Sequence, residues 1–260
     1  GISIYDNTYR LFFDTTGGQA KIIGTEPLMN DIIFDNNLNL NNSNKDNGYI
    51  LGEALSNNRR IIGDIPADKN SFSIKGDIPD PGTFLGKELS ASLEKAGVKV
   101  NSYQSIRTNP QDYNETVFYT PLSPPLRDIA KVINVRSNNH YAEHLIRALG
   151  RNKTASSDAL TEGIQNINNL WKDRGLDTEG LFMYDGCGLS PANATNASFM
   201  CDILTQMKSN DDFLNSFPKA GQEGTVRNFL KGSKLEGKVR VKSGSIAKVQ
   251  CFAGYYIDGN

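Results

Sequence analysis

The chain of 260 residues is long enough for two domains or for one large domain with insertions. Its 28 basic and 29 acidic residues are interspersed and nearly cancel, which argues against nucleic acid or an anionic membrane as an obligatory partner. No apolar run reaches the length of a membrane-spanning helix. The three scattered cysteines, Cys187, Cys201 and Cys251, form no C-x-x-C pair, so they indicate core thiols rather than a disulfide framework or a zinc site.

Residues 1–78 have the pattern of a mostly β domain. Short apolar or alternating runs are separated by Asn, Asp and Gly, as expected for strands and turns. The Asn-rich segment 35–48 is predicted to be a polar loop. The first residues differ from a secretory signal peptide, and both ends of the chain resemble strands. We therefore expect the chain to be cut from something larger at both ends.

The remainder is predicted to be a helical block whose chain returns to an antiparallel sheet. Asp80-Pro81 begins a helix that ends at Gly97, and a short strand is predicted at 98–100. Apolar residues at helical spacing predict the later helices, and a strand-and-turn segment at 181–190 interrupts them. These helices are expected from 126, at 138–149, from 158 to 175, at 199–207 and at 226–230.

Two short polar motifs stand out in the second part. Lys242-Ser243-Gly244 follows alternating valines, so it places an ammonium group, a hydroxyl and a glycine on a strand edge. K-[ST]-G is a motif of penicillin-recognising serine enzymes, although such a triplet is also an ordinary strand end. In Ser137-Asn138-Asn139, Ser137 is compatible with an ordinary helix N-cap, and the triplet also matches the S-x-N motif of the same enzymes.

Further segments make the resemblance specific. The helix after Ser137 continues as Tyr141-Ala142-Glu143-His144-Leu145, and the turn at 185–190 is D-G-C-G-L-S. The segment 216–225 is S-F-P-K-A-G-Q-E-G-T, and all four segments occur in the family's order. The chain is similar to the D-alanyl-D-alanine carboxypeptidase/endopeptidase family, the class C low-molecular-mass penicillin-binding proteins. This implies an α+β fold of the penicillin-binding-protein/β-lactamase type, with a partial β-rich inserted domain at 1–78 and a partial transpeptidase-like catalytic domain at 79–260.

The resemblance also implies an activity on peptidoglycan stem peptides. A serine would attack the D-Ala-D-Ala bond through an acyl-enzyme, β-lactams would inhibit the enzyme, and no cofactor would be needed. The expected location is periplasmic or otherwise extracytoplasmic in a bacterium. Ser137 and Lys242 would share proton transfer to the leaving amine, and Asn139 would bind a substrate amide.

The same resemblance assigns the substrate-binding strand. Ser243 would contact the terminal carboxylate, and Gly244 would leave room for the substrate backbone. The main-chain N–H of Ser245 would donate to the oxyanion.

The sequence departs from the family pattern in two places. Cys187 stands where the family usually has Ser. The family's nucleophile lies in an S-x-x-K motif well over two hundred residues before S-x-N, and the three such strings here begin at Ser92, Ser216 and Ser245. The string at Ser92 lies on the helix predicted to begin at Asp80-Pro81, the string at Ser216 contains Pro218, and the string at Ser245 overlaps the K-S-G strand. We therefore predict that none of these serines is the nucleophile and that this chain is inactive.

Two alternatives come from different classes of protein. His140-x-x-Glu143-His144 matches the inverted zinc-peptidase motif, with both imidazoles one turn apart on a predicted helix. Its third ligand is not identifiable among the downstream acidic residues. A non-catalytic cell-wall-binding module with a degenerate site is the other alternative.

Overall fold

The computed structural model describes residues 2–106, 116, 119–151, 158–246 and 248–257. The chain divides into two compact units, residues 1–116 and 117–260. These units are defined by the density of contacts within them and do not test the predicted domains at 1–78 and 79–260. The domain boundaries stay a prediction.

The described residues of the first unit form two three-stranded sheets. In one, β1 (Thr8–Asp14) lies between β2 (Lys21–Glu26) and β6 (Phe72–Asp77), and both pairings are antiparallel. In the other, β5 (Asn58–Pro66) pairs parallel with β3 (Ile33–Asn41) and antiparallel with β4 (Tyr49–Leu51). Alternation sets burial: Tyr9, Leu11 and Phe13 of β1 are buried while the residues between them are not. They share one core with residues of β5.

Helix α1 (Pro81–Lys95) completes this unit. The Asp80 carboxylate accepts hydrogen bonds from the backbone of Gly82 and Thr83, as predicted for its N-cap. Phe84 joins the unit's core. The helix ends in a glycine turn in which Val98 N–H donates to Leu93 O, so the predicted strand at 98–100 is wrong. The reason is that this short apolar run continues the helix cap instead of meeting a partner strand.

The predicted loop at 35–48 is also partly wrong, because β3 extends to Asn41. Leu38 and Leu40 alternate toward the core and explain the strand. Two asparagines of the same strand have hydrogen-bond partners: Asn36 donates to the carbonyl of Ala20, and Asn41 donates to Asp64. These bonds offset the low strand propensity of Asn.

The second unit is a set of helices followed by a hairpin. Its helices are α2 (Leu126–Arg136), α3 (Asn139–Leu149), α4 (Ala159–Asp173), α5 (Ala197–Met207) and α6 (Asp211–Ser216). Asx side chains at positions 138, 158, 196 and 210 cap α3 to α6. A 3₁₀ turn at Gly224–Val226 precedes the antiparallel strands β7 (Val239–Ile246) and β8 (Val249–Tyr256). No helix in the described part of the chain is both long enough and apolar enough to cross a membrane.

Candidate active site

The corner between α2 and α3 holds Ser137. This residue ends α2 in the left-handed region, at φ 52° and ψ 50°, and the next residue, Asn138, caps α3 by accepting from Tyr141 N–H at 2.9 Å. A non-glycine residue in this region costs on the order of 1–2 kcal/mol, and such strain is frequent at functional sites. The corner therefore projects one hydroxyl between two helix ends.

Strand β7 supplies the opposite side of the site. Val241 is buried with Ala220 and Val226, and this packing fixes the strand immediately before Lys242. Gly244 lies opposite Cys251 of β8, and a Cβ added to it would come within 2.7 Å of the Cys251 sulfur. Gly244 thus leaves space that any side chain would take.

The two motifs meet at a hydrogen bond. Lys242 Nζ donates to Ser137 Oγ at 2.9 Å, although the residues are 105 positions apart, and it also donates to the carbonyl of Ser243. Burial lowers the pKa of Lys242, and the nearby Cys251 opposes this effect. A lysine with a lowered pKa loses and regains a proton more readily near neutral pH than a solvated one does.

A cavity of about 480 Å³ opens beside this pair. Ser137, Ser243 and Ser245 line it together with Thr225, Asn228, Phe229, Gln250 and Phe252. Ser243 Oγ is 2.9 Å from Thr225 Oγ1. The cavity thus combines hydroxyl and amide groups with the stacked rings of Phe229 and Phe252, whose centroids are 4.2 Å apart.

Three predicted site residues do not line this cavity. Lys242 and Gly244 line a second cavity, of about 710 Å³, whose lining shares Ser243 and Phe252 with the first. Asn139 lines neither. It is the first residue of α3, is solvent-exposed and is not part of the lining. Ser245 does line the first cavity, opposite Gln250 of β8. The individual roles of Ser137, Asn139 and Lys242, and those of the residues at 243–245, stay predictions.

The turn at 185–190 is built around Asp185. Its carboxylate accepts from the backbone N–H groups of Gly188 and Ser190, each at 2.6 Å, and from the Asn193 amide. Burial acts to raise the pKa of Asp185, but these hydrogen bonds outweigh it and the pKa is lowered. Cys187 lies in the same turn as a half-buried free thiol, and burial raises its pKa. Cys201 and Cys251 are exposed, so the prediction of core thiols is wrong for these two.

The three S-x-x-K serines have different surroundings. Ser92 donates to the carbonyl of Glu88 on α1. Ser216 is buried, donates to Phe213 O at 2.6 Å and accepts from the Asn134 amide at 2.7 Å. Ser245 is an exposed residue of β7. The prediction that none of them is the nucleophile remains a prediction.

The histidine motif has its two imidazoles close together. The ring centroids of His140 and His144 are 4.4 Å apart, and burial and the charge of His140 lower the pKa of His144. Glu143, however, accepts from Gly186 N–H and pairs with Arg147. Among the described residues no group of three or more His, Cys, Asp or Glu side chains could hold a metal ion, whereas a catalytic zinc site takes three protein ligands.

Comparison with known proteins identifies the family. The model of the D-Ala-D-Ala carboxypeptidase 3 (S13) family matches residues 6–260. The chain belongs to this family. The resemblance inferred from the motifs is thereby confirmed.

Curated relatives include a D-alanyl-D-alanine carboxypeptidase of Actinomadura sp. strain R39, 29% identical over 232 residues. That alignment covers 81% of this chain and 43% of the relative. D-alanyl-D-alanine carboxypeptidase DacB of Haemophilus influenzae is 25% identical over 205 residues, with 76% of this chain and 42% of the relative covered. The chain thus spans less than half the length of these relatives.

A solved structure of penicillin binding protein 4 (dacB) from Haemophilus influenzae, complexed with a β-lactam, has the same fold. Its TM-score is 0.79 at 21% identity, with 98% of this chain and 60% of that chain covered. A second solved structure of the same protein gives a TM-score of 0.78. The expected α+β penicillin-binding-protein fold is confirmed.

The sequence interpretation missed Thr225 as a site residue. Thr225 ends the segment 216–225, which the sequence comparison with the family already included. Its contact with Ser243 was not predictable because the two residues are 18 positions apart. A contact of this kind depends on how the segment folds back over β7, and no local spacing encodes it.

Proposed function

We propose that the protein is a serine-type D-Ala-D-Ala carboxypeptidase/endopeptidase that acts on peptidoglycan stem peptides outside the cytoplasm and is inhibited by β-lactams. The observation that carries the proposal is the hydrogen bond between Lys242 Nζ and Ser137 Oγ, which joins the K-S-G and S-x-N motifs. Family membership and the shared fold support the same reaction class.

The proposed reaction has two steps. A serine hydroxyl attacks the carbonyl carbon of the D-Ala–D-Ala bond, the C–N bond breaks, and D-Ala leaves as an amine after it receives a proton. Water then adds to the acyl-enzyme ester and releases the shortened peptide and the free serine. The nucleophile is proposed to be a serine other than Ser92, Ser216 and Ser245, contributed from outside these 260 residues.

The residues of the described site have proposed roles in these steps. Ser137 and Lys242 deliver the proton to the leaving amine, and the lowered pKa of Lys242 suits this exchange. Lys242 also places positive charge near the substrate's terminal carboxylate, which Ser243 contacts by a hydrogen bond.

The other roles concern substrate placement. Gly244 gives the substrate backbone room, the Ser245 N–H donates to the oxyanion, and Asn139 binds a substrate amide. Because Asn139 lies outside the cavity lining, its role depends on a substrate that extends beyond the cavity toward the start of α3.

Labelling with a fluorescent penicillin tests the proposal. We expect a covalent adduct on the full-length gene product and none on the 260-residue chain. The matched functional assay is release of D-Ala from a peptide that ends in D-Ala-D-Ala. A full-length protein that is neither labelled nor active contradicts the proposed function.

The site of any adduct tests the nucleophile separately. A stable adduct on Ser92, Ser216 or Ser245 of the 260-residue chain would contradict the proposal that the nucleophile lies elsewhere.

Metal analysis of chelator-treated and zinc-reloaded protein distinguishes the zinc-peptidase alternative, which requires tight stoichiometric zinc and activity that depends on it.

A further inference from the structure

The Thr225 hydroxyl is placed directly against the proposed carboxylate-binding group. Its Oγ1 is 2.9 Å from Ser243 Oγ, and both residues line the cavity that Ser137 borders. Thr225 is itself solvent-exposed, so this contact does not serve to fill a core. The contact adds a second hydroxyl to the K-S-G strand.

The turn that carries Thr225 is fixed on both sides. Gly224 has φ +52°, and a Cβ added to it would lie 2.0 Å from the carbonyl oxygen of Val135, two residues before Ser137. Val226 is 1% exposed and packs in one cluster with Val241, the residue before Lys242. Thr225 is therefore anchored between the serine corner and the lysine strand.

The two hydroxyls can form a directed chain of hydrogen bonds. A serine hydroxyl has one proton to donate, so a Ser243 that donates to a carboxylate must accept its second bond from another group. Thr225 is at the right distance to be that donor. Accepting a bond polarises the Ser243 O–H and strengthens the bond that it donates.

We propose that Thr225 is a positioning residue that orients the Ser243 hydroxyl toward the terminal carboxylate of the substrate. This inference rests on the proposed function. It also makes the Thr225–Ser243 pair a determinant of specificity, because a charged carboxylate gains more from the oriented proton than the carbonyl of a neutral amide does.

Two peptides and three variants of the full-length protein test this role. The peptides share one sequence ending in D-Ala-D-Ala, and one carries a free carboxylate while the other is amidated at its C-terminus. For Thr225→Val we expect kcat/KM on the carboxylate peptide to fall about fivefold to tenfold, the effect of one hydrogen bond, and the loss on the amide to be clearly smaller. Thr225→Ser keeps the hydroxyl and retains activity, and the control Thr178→Val, from outside the cavity lining, changes neither rate.

A double variant shows whether Thr225 acts through Ser243. In a Ser243→Ala background, Thr225→Val should have no further effect on the carboxylate peptide. Circular dichroism and thermal unfolding establish that each variant is folded. If Thr225→Val does not fold, the rates of Thr225→Ser on the two peptides are compared instead.

The other possible results contradict either the role of Thr225 or the proposed function. Equal losses on both peptides, or a Thr225→Ser variant as impaired as Thr225→Val, would make Thr225 merely structural and overturn the inference. Wild-type rates in Thr225→Val would overturn it while the proposed function stands. A wild-type protein that hydrolyses neither peptide and binds no penicillin overturns the proposed function and the role of Thr225 with it.

Discussion

The two units of the chain use their buried residues differently. In the described part of the unit at 1–116, ten buried residues from both sheets, α1 and the loops between them form one continuous core (Tyr9, Leu11, Phe13, Ala20, Ile32, Ile61, Ile65, Ile74, Ile78 and Phe84). In the described part of the unit at 117–260, the cluster behind β7 consists of Ala220, Val226 and Val241. The polar groups of the site are the immediate neighbours of this small cluster.

This difference separates stability from chemistry. In the first unit, strand alternation buries large side chains, and each is expected to contribute by removing apolar surface from water. In the second unit, Ser137 is held in a strained backbone and Lys242 is half-buried with a lowered pKa. Proteins tolerate such features where function requires them, at some cost in stability.

The largest expected effect comes from removing the Lys242 ammonium. Lys242→Met keeps most of the side-chain length but removes the donor to Ser137, so kcat/KM of the full-length protein should fall about 10²-fold to 10⁴-fold. Because burial disfavours the charged form, removing the charge should leave the unfolding temperature nearly unchanged. Steady-state release of D-Ala and thermal unfolding measure the two effects.

An exposed lysine of the same unit gives the matched control. Lys234 is solvent-exposed, and Lys234→Met should keep the wild-type rate. If Lys242→Met retained full activity, or lost it only by unfolding, the division between a stabilising unit and a chemical one would fail.

The next largest effect concerns the core of the first unit. Leu11 is fully buried, so Leu11→Ala should destabilise this unit by about 2–5 kcal/mol through lost burial and a residual cavity. Leu28 is 65% exposed, and Leu28→Ala should change the stability by less than about 0.5 kcal/mol. Hydrogen exchange followed by mass spectrometry reports β1 and β7 separately. Loss of protection in β7 equal to that in β1 would show that the two units unfold together.

Features with local signals were predictable from the sequence. Asp80 begins α1 because an Asx side chain before an apolar periodic run satisfies free backbone N–H groups. The cap of α3 was expected at Ser137, but Ser137 ends α2 and the next residue, Asn138, is the cap. The two short motifs were also correctly expected to lie on a helical corner and on a strand. Their meeting at Ser137 and Lys242 followed only from the family resemblance, since nothing local relates positions 105 residues apart.

Features that depend on tertiary partners were not predictable. Strand β3 runs through an Asn-rich segment because neighbouring groups satisfy the asparagine side chains. The contact of Thr225 with Ser243 arises because Gly224 lets the turn approach the end of α2. In both cases the structure depends on a contact with a residue distant in the chain. Hydrophobic periodicity is a local signal and does not predict such contacts.

The smallest expected effect concerns the Asp185 turn. Burial acts to raise the pKa of Asp185, but hydrogen bonds from the backbone and from Asn193 outweigh it and hold the pKa below its usual value. The carboxylate therefore stabilises the turn at higher pH and loses this contribution as the pH falls through the lowered pKa. Asp185→Asn should therefore cost about 1 kcal/mol at pH 7, allowing for solvent screening, and progressively less below about pH 4. Urea unfolding of the two proteins across this range measures the difference, and the exposed α5 variant Asp202→Asn should show no such trend. If the difference in unfolding free energy between Asp185→Asn and the wild type is as large at pH 2 as at pH 7, the prediction is wrong. The turn would then depend on the shape of the Asp185 side chain rather than on the charge that accepts hydrogen bonds from its N–H groups.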